Sequence, residues 1–573
     1  MRVRKSQSGL TVNSIAGSHV VFFGLDLAAS KRPGFRGFAF ERTDHKKGET
    51  YWLRSTKSFK ETAPNPAAGT KLSSRDHPFQ AFQWADYSVA PGQKYTYNIV
   101  ALYGDPANLQ AKAQLTVDIT TETETGPGHS AFFNRGSVAT QEYARRFGNK
   151  KPNKVGQDAY DWLSRGLLKA LLDFLGRAKK GWSIHGAVYE FQWPDVLARL
   201  KQVHLNGAVV KVLFDDIEAY QTNKKTGKKE PKGPFKKNRD AIAKAKIKSL
   251  CKGRANGKLM HNKFFVLSFK GKPKAVWTGS TNLTENGIFG HSNLGHIVED
   301  ETVAQAYMDY WNRLNDDPGI DKDYRDSNVQ ASPAPPVPWK GTAAVFSPRG
   351  TDLDSLNWYA RLAGKAKGGL FMTFAFGMHE KFKDVYNKND NILRMALLEK
   401  EGNNPKTLQR DKQDIQNIRN RPNVVLAIGN RIVTNAFDKW LSEMPQITAG
   451  VHVYWIHTKY MLVDPLGADP VVVTGSANFS KASTDTNDEN MLAIHGDKRI
   501  ADIYFGEYMR LYSHYAFREV VKWHTEKVAA GKPEDWKPQF LISNDSWMKP
   551  YFDPADRSGR RARREYFAGP MSV

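Results

Sequence analysis

The chain has 573 residues, enough for more than one buried core, and carries 84 Lys and Arg against 59 Asp and Glu, a formal charge of +25 with pI near 9.7. Its single cysteine, Cys251, excludes an intrachain disulfide and any zinc site built on cysteine pairs. The basic start, Met1 to Ser8, runs into polar residues instead of an apolar signal core, and no apolar run approaches the ~20 residues that span a bilayer. A cytoplasmic location, or export without a cleaved signal peptide, is the expectation. The charge favours an anionic polymer or surface as partner, through counterion release in the first case and surface potential in the second.

Residues 1–125 read as strands without helices. Val20 to Leu25, Gly37 to Phe40 and Thr50 to Leu53 are short apolar runs split by turn residues, and Tyr95 to Ala101 alternates with period two after the turn Ala90-Pro-Gly-Gln93. That pattern predicts a β-sandwich. The segment Trp84 to Tyr97 also resembles a fibronectin type III module. No chemistry is visible here; docking, substrate contact or shielding are the roles open to it.

The polar, breaker-rich stretch Thr120 to Gly128 is the first linker. Residues 131–326 then form a first α/β half. Asp158 to Arg177 has Leu167, Leu168, Leu171, Leu172 and Leu175 at helical spacing; Trp182 to Tyr189 is a strand, Pro194 to His204 a helix and Ala208 to Phe214 a strand. A right-handed parallel crossover is expected, with ligands beyond the carboxyl ends of the strands, near Glu190 to Trp193 and Asp215-Asp216. Asn223 to Lys258 is a basic insert with fourteen Lys or Arg against Glu230 and Asp240, read as a mobile loop or as an electrostatic funnel.

The proline-rich linker Ala331 to Pro338 precedes a second α/β half over residues 343–525, with strands at Gly369 to Phe376 and Val424 to Ile428. Phe374, Phe376 and Met378 are placed at a pocket entrance opposite Trp193, with core packing as the alternative. Residues 526–573, with Arg557 to Arg564, read as an irregular basic tail. The fold class is α/β: two similar mixed-sheet halves behind a β-sandwich.

Two stretches repeat. His261-Asn-Lys263 runs through Phe264-Phe-Val-Leu-Ser268 to Gly279-Ser280-Thr-Asn282, and His457-Thr-Lys459 runs through Tyr460-Met-Leu-Val-Asp464 to Gly475-Ser476-Ala-Asn478. In both, the Gly follows the His by eighteen residues. Strand alternation puts each His and Lys on one face, and the second run brings Ser and Asn to a strand end. Imidazole, ammonium, hydroxyl and carboxamide then converge, a set whose permanent charge is positive and which suits an anionic substrate.

The duplicated pattern His-x-Lys-x4-Asp followed by Gly-Ser-x-Asn resembles the phospholipase D superfamily, over roughly Ser130 to Arg518. The resemblance implies cleavage of phosphodiesters through a phosphohistidine. His261 and His457 would divide the tasks of nucleophile and general acid/base, and Lys263 and Lys459 with Asn282, Asn478, Ser280 and Ser476 would hold phosphate oxygens. Two such imidazoles need no metal, and no cofactor is expected. Glu489, in Thr486-Asn-Asp-Glu489-Asn490, resembles the acid that bonds a catalytic His in small bacterial members. It is expected to fix His457, leaving His261 as nucleophile, because the matching His291-Ser292-Asn293 offers no carboxylate. Asp464 completes the second motif; Ser268 stands where the first should have Asp.

Hydrolysis or exchange of phospholipid head groups is the first substrate reading. The second is a metal-independent DNA or RNA nuclease, favoured by the charge, the basic insert and the likeness of Pro194-Asp195 and Glu489-Asn490 to small bacterial nucleases. An inactive binding protein is the third. A chain carrying both motifs needs no second copy to complete its site.

Overall fold

The computed structural model describes all residues except 67–69, 224–225, 337, 352, 403, 405, 430–455 and 530–539. Two four-stranded antiparallel sheets open the chain. One runs Arg2–Gln7, Leu10–Ala16, Val21–Leu27, Gln83–Asp86, and the other Asn108–Thr120, Lys94–Asp105, Phe35–Asp44, Glu49–Trp52. Alternate residues of each turn inward, so Val12, Phe23 and Leu25 of the first sheet share a buried core with Phe40, Tyr97, Ile99 and Val117 of the second. The sandwich expected from the period-two pattern is present.

Two seven-stranded mixed sheets follow. In the first the order is His129–Phe133, Leu294–Val298, Lys272–Gly279, Lys263–Phe269, Trp182–Val188, Val209–Asp215, Cys251–Arg254. In the second it is Gly341–Ser347, Glu489–His495, Val471–Gly475, Tyr460–Val463, Gly369–Phe374, Leu393–Leu398, Val424–Ile428. The last three strands are parallel and the rest antiparallel in both sheets, so the motif repeat is a repeat of the whole topology. Helix Pro194–Leu205 makes the expected parallel crossover between Trp182–Val188 and Val209–Asp215. Central strands such as Leu393–Leu398 are buried throughout, as strands covered on both faces must be.

Helix Lys498–Ala529 runs between the sheets. Tyr504 and Tyr508 pack on Tyr460 of the second half, Tyr504 also on Phe133 of the first, and Arg510 donates to the Asn134 carbonyl at 2.9 Å. One apolar cluster therefore spans both halves and this helix.

Four expectations are corrected. The continuous helix over Asp158 to Arg177 is two helices, Gln157–Ser164 and Leu167–Gly176, broken where Arg165 and Gly166 take φ of 46° and 86°. The break turns Arg165 inward to Glu507, 2.7 Å away. The described residues of the basic insert form regular elements in place of a loop: hairpin Tyr220–Thr222 with Lys229–Pro231, helix Phe235–Ala245 and edge strand Cys251–Arg254. Phe235, Asn238 and Ile242 give that helix a buried stripe which its lysines obscure in the sequence.

The tail, too, is ordered beyond residue 540. Trp547, Met548 and Tyr551 enter the sandwich core, and Phe567, fully buried, packs on Phe22 of the sandwich and Phe371 of the second half. A Cβ on Gly24 would lie 2.1 Å from the Phe567 carbonyl oxygen, so only glycine admits this approach. The arginines of helix Arg560–Phe567 serve the contact, Arg564 stacking at 4.3 Å over Phe552 and bonding Asp26 at 2.9 Å. Finally, Phe374 and Met378 are core residues and only Phe376 is half-exposed, while Trp193 packs on Tyr160 and Phe289.

Candidate active site

Each motif histidine stands just before a central strand and is strapped to the opposite half. His261 N–H donates to the Asp488 carbonyl at 3.0 Å, and Ile456 bridges in parallel to Ser292. One residue upstream, Met260 N–H donates to Asp215 Oδ2 and Ile456 N–H to Glu399 Oε2, both at 2.9 Å, so matching carboxylates at strand ends hold the two backbones alike. Burial lifts the Asp215 carboxyl to about 7.

The rings are held crosswise. His261 Nδ1 lies 2.9 Å from Glu489 Oε2, and His457 Nδ1 lies 2.8 Å from Asn293 Oδ1. Glu489 and Asn293 occupy the same place in the two repeats, each just beyond the partner of a motif serine. This corrects the expected pairing of Glu489 with His457: the two halves exchange their ring-holding residues across the interface. Both tautomers follow. A carboxylate only accepts, so His261 Nδ1 carries the proton; Asn293 Nδ2 donates to the Gly287 carbonyl at 2.7 Å, which fixes Oδ1 as acceptor and puts a proton on His457 Nδ1. Each Nε2 is left for chemistry.

The lysines repeat the symmetry. Lys263 Nζ donates to its own His261 carbonyl and Lys459 Nζ to that of His457, both at 2.6 Å. All four side chains are buried, His261 and His457 retaining 7% and 6% exposure. Burial lowers the Lys263 ammonium to about 7 and the His261 imidazolium to about 4, and drives Lys459 and His457 well below their usual ranges. His457 also feels the charges of Lys459, Lys263 and His261, which places both motifs in one electrostatic unit. The resting site is thus short of protons, with neutral imidazoles, and an arriving anion would draw protons onto it.

The remaining expected residues separate. Asn282 and Asn478 each keep a buried Oδ1 with no hydrogen-bond partner among the described residues, and Asn282 donates to Glu190, a carboxylate that no motif signals and that burial shifts upward. Ser280 and Ser476 are corrected as phosphate ligands. The Ser280 hydroxyl donates to Asn293 Oδ1 at 2.8 Å, and Ser476 Oγ is engaged by the Asn490 backbone N–H at 3.0 Å. Ser280 braces the ring-holding Asn293, and Ser476 braces the backbone of the residue after Glu489. Asp464 lies at the far end of its strand, about 16 Å from Lys459 at the usual rise. Its carboxylate accepts from the backbone N–H groups of Lys367, Gly368 and Gly369 at 2.6–3.0 Å. Ser268 sits at the matching far end, opposite Ser183, so its departure from the pattern does not touch the histidines. Asn293 was visible only as the position aligned with Glu489.

Under the site lies a buried ion pair between halves: Arg254 Nε to Asp488 Oδ2 at 3.1 Å, extended by Arg254 to Asp317 at 2.5 Å and Tyr324 to Asp488 Oδ1 at 2.9 Å. A cavity of about 1240 Å³ lies elsewhere, beside Trp339, Asp464 and Tyr566. The histidines instead occupy a tight interface.

The family model described as "Cardiolipin synthase, PLD-like domain" matches residues 171–315 and 403–510, each segment holding one His-x-Lys and one Gly-Ser-x-Asn. No curated protein sequence matches the chain. Among solved structures, phosphatidylserine synthase from Haemophilus influenzae is 12% identical over 64% of this chain and 92% of its own, with TM-score 0.43. Nuc from Salmonella typhimurium is 20% identical over 26% and 87%, with TM-score 0.21. Polyphosphate kinase from Porphyromonas gingivalis is 9% identical over 58% of this chain, which spans 46% of the kinase, with TM-score 0.35. Among the described residues no helix is long and apolar enough to cross a membrane. With both motifs inside the matched segments and their histidines held crosswise at one interface, residues 171–315 and 403–510 carry a phospholipase D-like domain.

Proposed function

We propose that the protein cleaves or exchanges phosphodiesters through a phosphohistidine on His261, with phospholipid head groups as substrate. The crosswise holding of the rings carries this reading: His261 has a buried carboxylate on Nδ1 and His457 a neutral amide. The carboxylate stabilises the positive ring that forms when Nε2 bonds to phosphorus, which suits a nucleophile. The amide gives no such stabilisation, so a protonated His457 gives up its proton more readily, which suits an acid.

In the first step the His261 Nε2 lone pair forms the N–P bond. The bond from phosphorus to the leaving oxygen breaks, and that oxygen takes the proton from His457 Nε2. In the second, His457 Nε2 accepts a proton from water or an acceptor alcohol, whose oxygen attacks phosphorus while the N–P bond returns its electrons to His261. Lys263, Lys459, Asn282 and Asn478 hold the nonbridging oxygens as charge builds on them.

The lipid reading is supported by the description of the matched family and by the enclosed site, which admits a diester on a flexible stem more readily than a duplex. Nuclease activity is the second reading, favoured by the charge of +25. Incubation with mixed vesicles of phosphatidylcholine and phosphatidylglycerol plus ethanol, and separately with single- and double-stranded DNA, decides between them: phosphatidylethanol supports the first, metal-independent strand scission the second. A phosphoenzyme that persists in His457→Ala and vanishes in His261→Ala supports the assignment of roles; the reverse pattern overturns it.

A further inference from the structure

The repeat supplies an internal control for the basic insert. Between the second and third parallel strands, residues 216–250 of the first half carry eleven Lys or Arg against four acids, whereas the corresponding residues 399–423 carry six against four. The excess is therefore not a requirement of the fold. It is also fixed to the site. Asn238, fully buried on helix Phe235–Ala245, donates to the carbonyls of Tyr189 at 2.8 Å and Asp215 at 3.0 Å and accepts from Phe191 N–H at 2.9 Å. Those are the strand ends at the histidine, and the Tyr189 ring packs 5.0 Å from that of His261.

The charges facing water are lysines. The arginines of the insert are both paired with acids, the exposed Arg239 with Asp216 and Glu218 and the buried Arg254 with Asp317 and Asp488, while Lys228, Lys229, Lys232, Lys237, Lys246 and Lys258 are exposed. Arginine is the side chain that grips individual phosphates in fixed register; exposed lysines act as diffuse point charges. Among them Tyr220 of the hairpin is 54% exposed, braced edge-on against Phe235 at 5.6 Å. Clustered lysines with a protruding tyrosine match the charge and polarity of an anionic bilayer surface.

We propose that Tyr220 and the exposed lysines between Lys228 and Lys258 are a docking platform for an anionic phospholipid surface, which seats the membrane beside His261. The proposal rests on the lipid reading above and adds where and to which kind of membrane the protein binds. The attraction is confined to about 8–10 Å by physiological salt, so the platform must touch the bilayer to act.

The test uses the full chain, wild type and Lys228→Glu/Lys229→Glu/Lys232→Glu, with Tyr220→Ser as a second variant that leaves the charge intact. Thermal unfolding verifies that each variant is folded. Sedimentation with vesicles of equal parts phosphatidylglycerol and phosphatidylcholine should retain the wild type, high salt should release it, and vesicles of phosphatidylcholine alone should not bind it. The triple charge reversal should lower binding by at least about 100-fold, from roughly fivefold for each lysine lost, and Tyr220→Ser should lower it severalfold. Equal binding by the triple variant, equal binding to neutral vesicles, or loss of single-stranded DNA binding with vesicle binding unchanged would each overturn the platform. Sedimentation scores docking and released alcohol scores cleavage: binding without turnover refutes the lipid reading, and turnover without sedimentation refutes the platform.

Discussion

Replacing Glu489 with Gln isolates the feature on which the division of labour rests. The side chain is fully buried, its carboxylate 2.9 Å from His261 Nδ1. Gln retains an acceptor for that N–H, as Asn293 does for His457, so tautomer and ring orientation survive and charge alone is lost. Attraction between a carboxylate and a positively charged ring about 4 Å apart is about 4 kcal/mol at an effective dielectric constant near 20. Discounting for compensation by the nearby lysines, a loss of about 2–4 kcal/mol slows formation of the phosphoenzyme by roughly 30- to 1000-fold. Asn293→Ala removes a neutral hydrogen bond from His457, worth about 0.5–1.5 kcal/mol, and should slow the same step about 2- to 12-fold. Rapid-quench measurement of radiolabelled phosphoenzyme in a single turnover reads both. If Glu489→Gln slows it no more than Asn293→Ala does, the carboxylate does not stabilise a charged His261 and the role assignment fails.

Activity should be bell-shaped in pH for the free enzyme. Its acid limb lies near pH 4, where His261 becomes protonated and loses its lone pair, and its alkaline limb no higher than about pH 7, where Lys263 loses the charge that holds phosphate, because burial also drives the acid His457 well below its usual range. Lys263→Arg keeps its charge because guanidinium stays protonated, and kcat/KM profiles of both proteins identify the group behind the alkaline limb: a limb that moves upward belongs to Lys263, and one that stays belongs to His457. The same lysine bears on stability. Its folded pKa is depressed, so its contribution is complete above about 10.5 and lost as pH falls through about 7; Lys263→Met should raise the unfolding temperature at pH 6 and not at high pH. Asp464→Ala removes the acceptor for three backbone N–H groups and should cost about 1.5–3 kcal/mol in denaturant unfolding, with kcat little changed. A large fall in kcat at unchanged stability would refute its placement away from the chemistry. Arg254→Met leaves Asp488 buried without its charge partner and should destabilise the protein by about 3–5 kcal/mol in the same assay.

The two motifs, their strands and the sandwich were legible because they are written in short-range periodicity: alternation over five to seven residues, and a spacing that repeats. Where charge interrupts that periodicity the reading weakened. The strand Leu393–Leu398 passed unrecognised because it contains Arg394, which is buried against Asp390, and the helix Phe235–Ala245 was hidden among lysines. The tail was read by its arginines, although Trp547, Tyr551 and Phe567 are what hold it.

Much of the residue set of the site is legible in the sequence, His261, Lys263, His457 and Lys459 from spacing and Glu489 from the resemblance of its segment to small bacterial members, whereas Glu190 carries no motif signal. Which of them touch was decided by tertiary structure. Glu489 reaches His261 and not the histidine of its own half, Ser280 and Ser476 turn to backbone and amide partners, and Asp464 caps a distant strand end. Strand periodicity assigns a side chain to a face, but it carries no information about what the other half places against that face. That is set by the packing of the two repeats around Lys498–Ala529, through contacts separated by hundreds of residues.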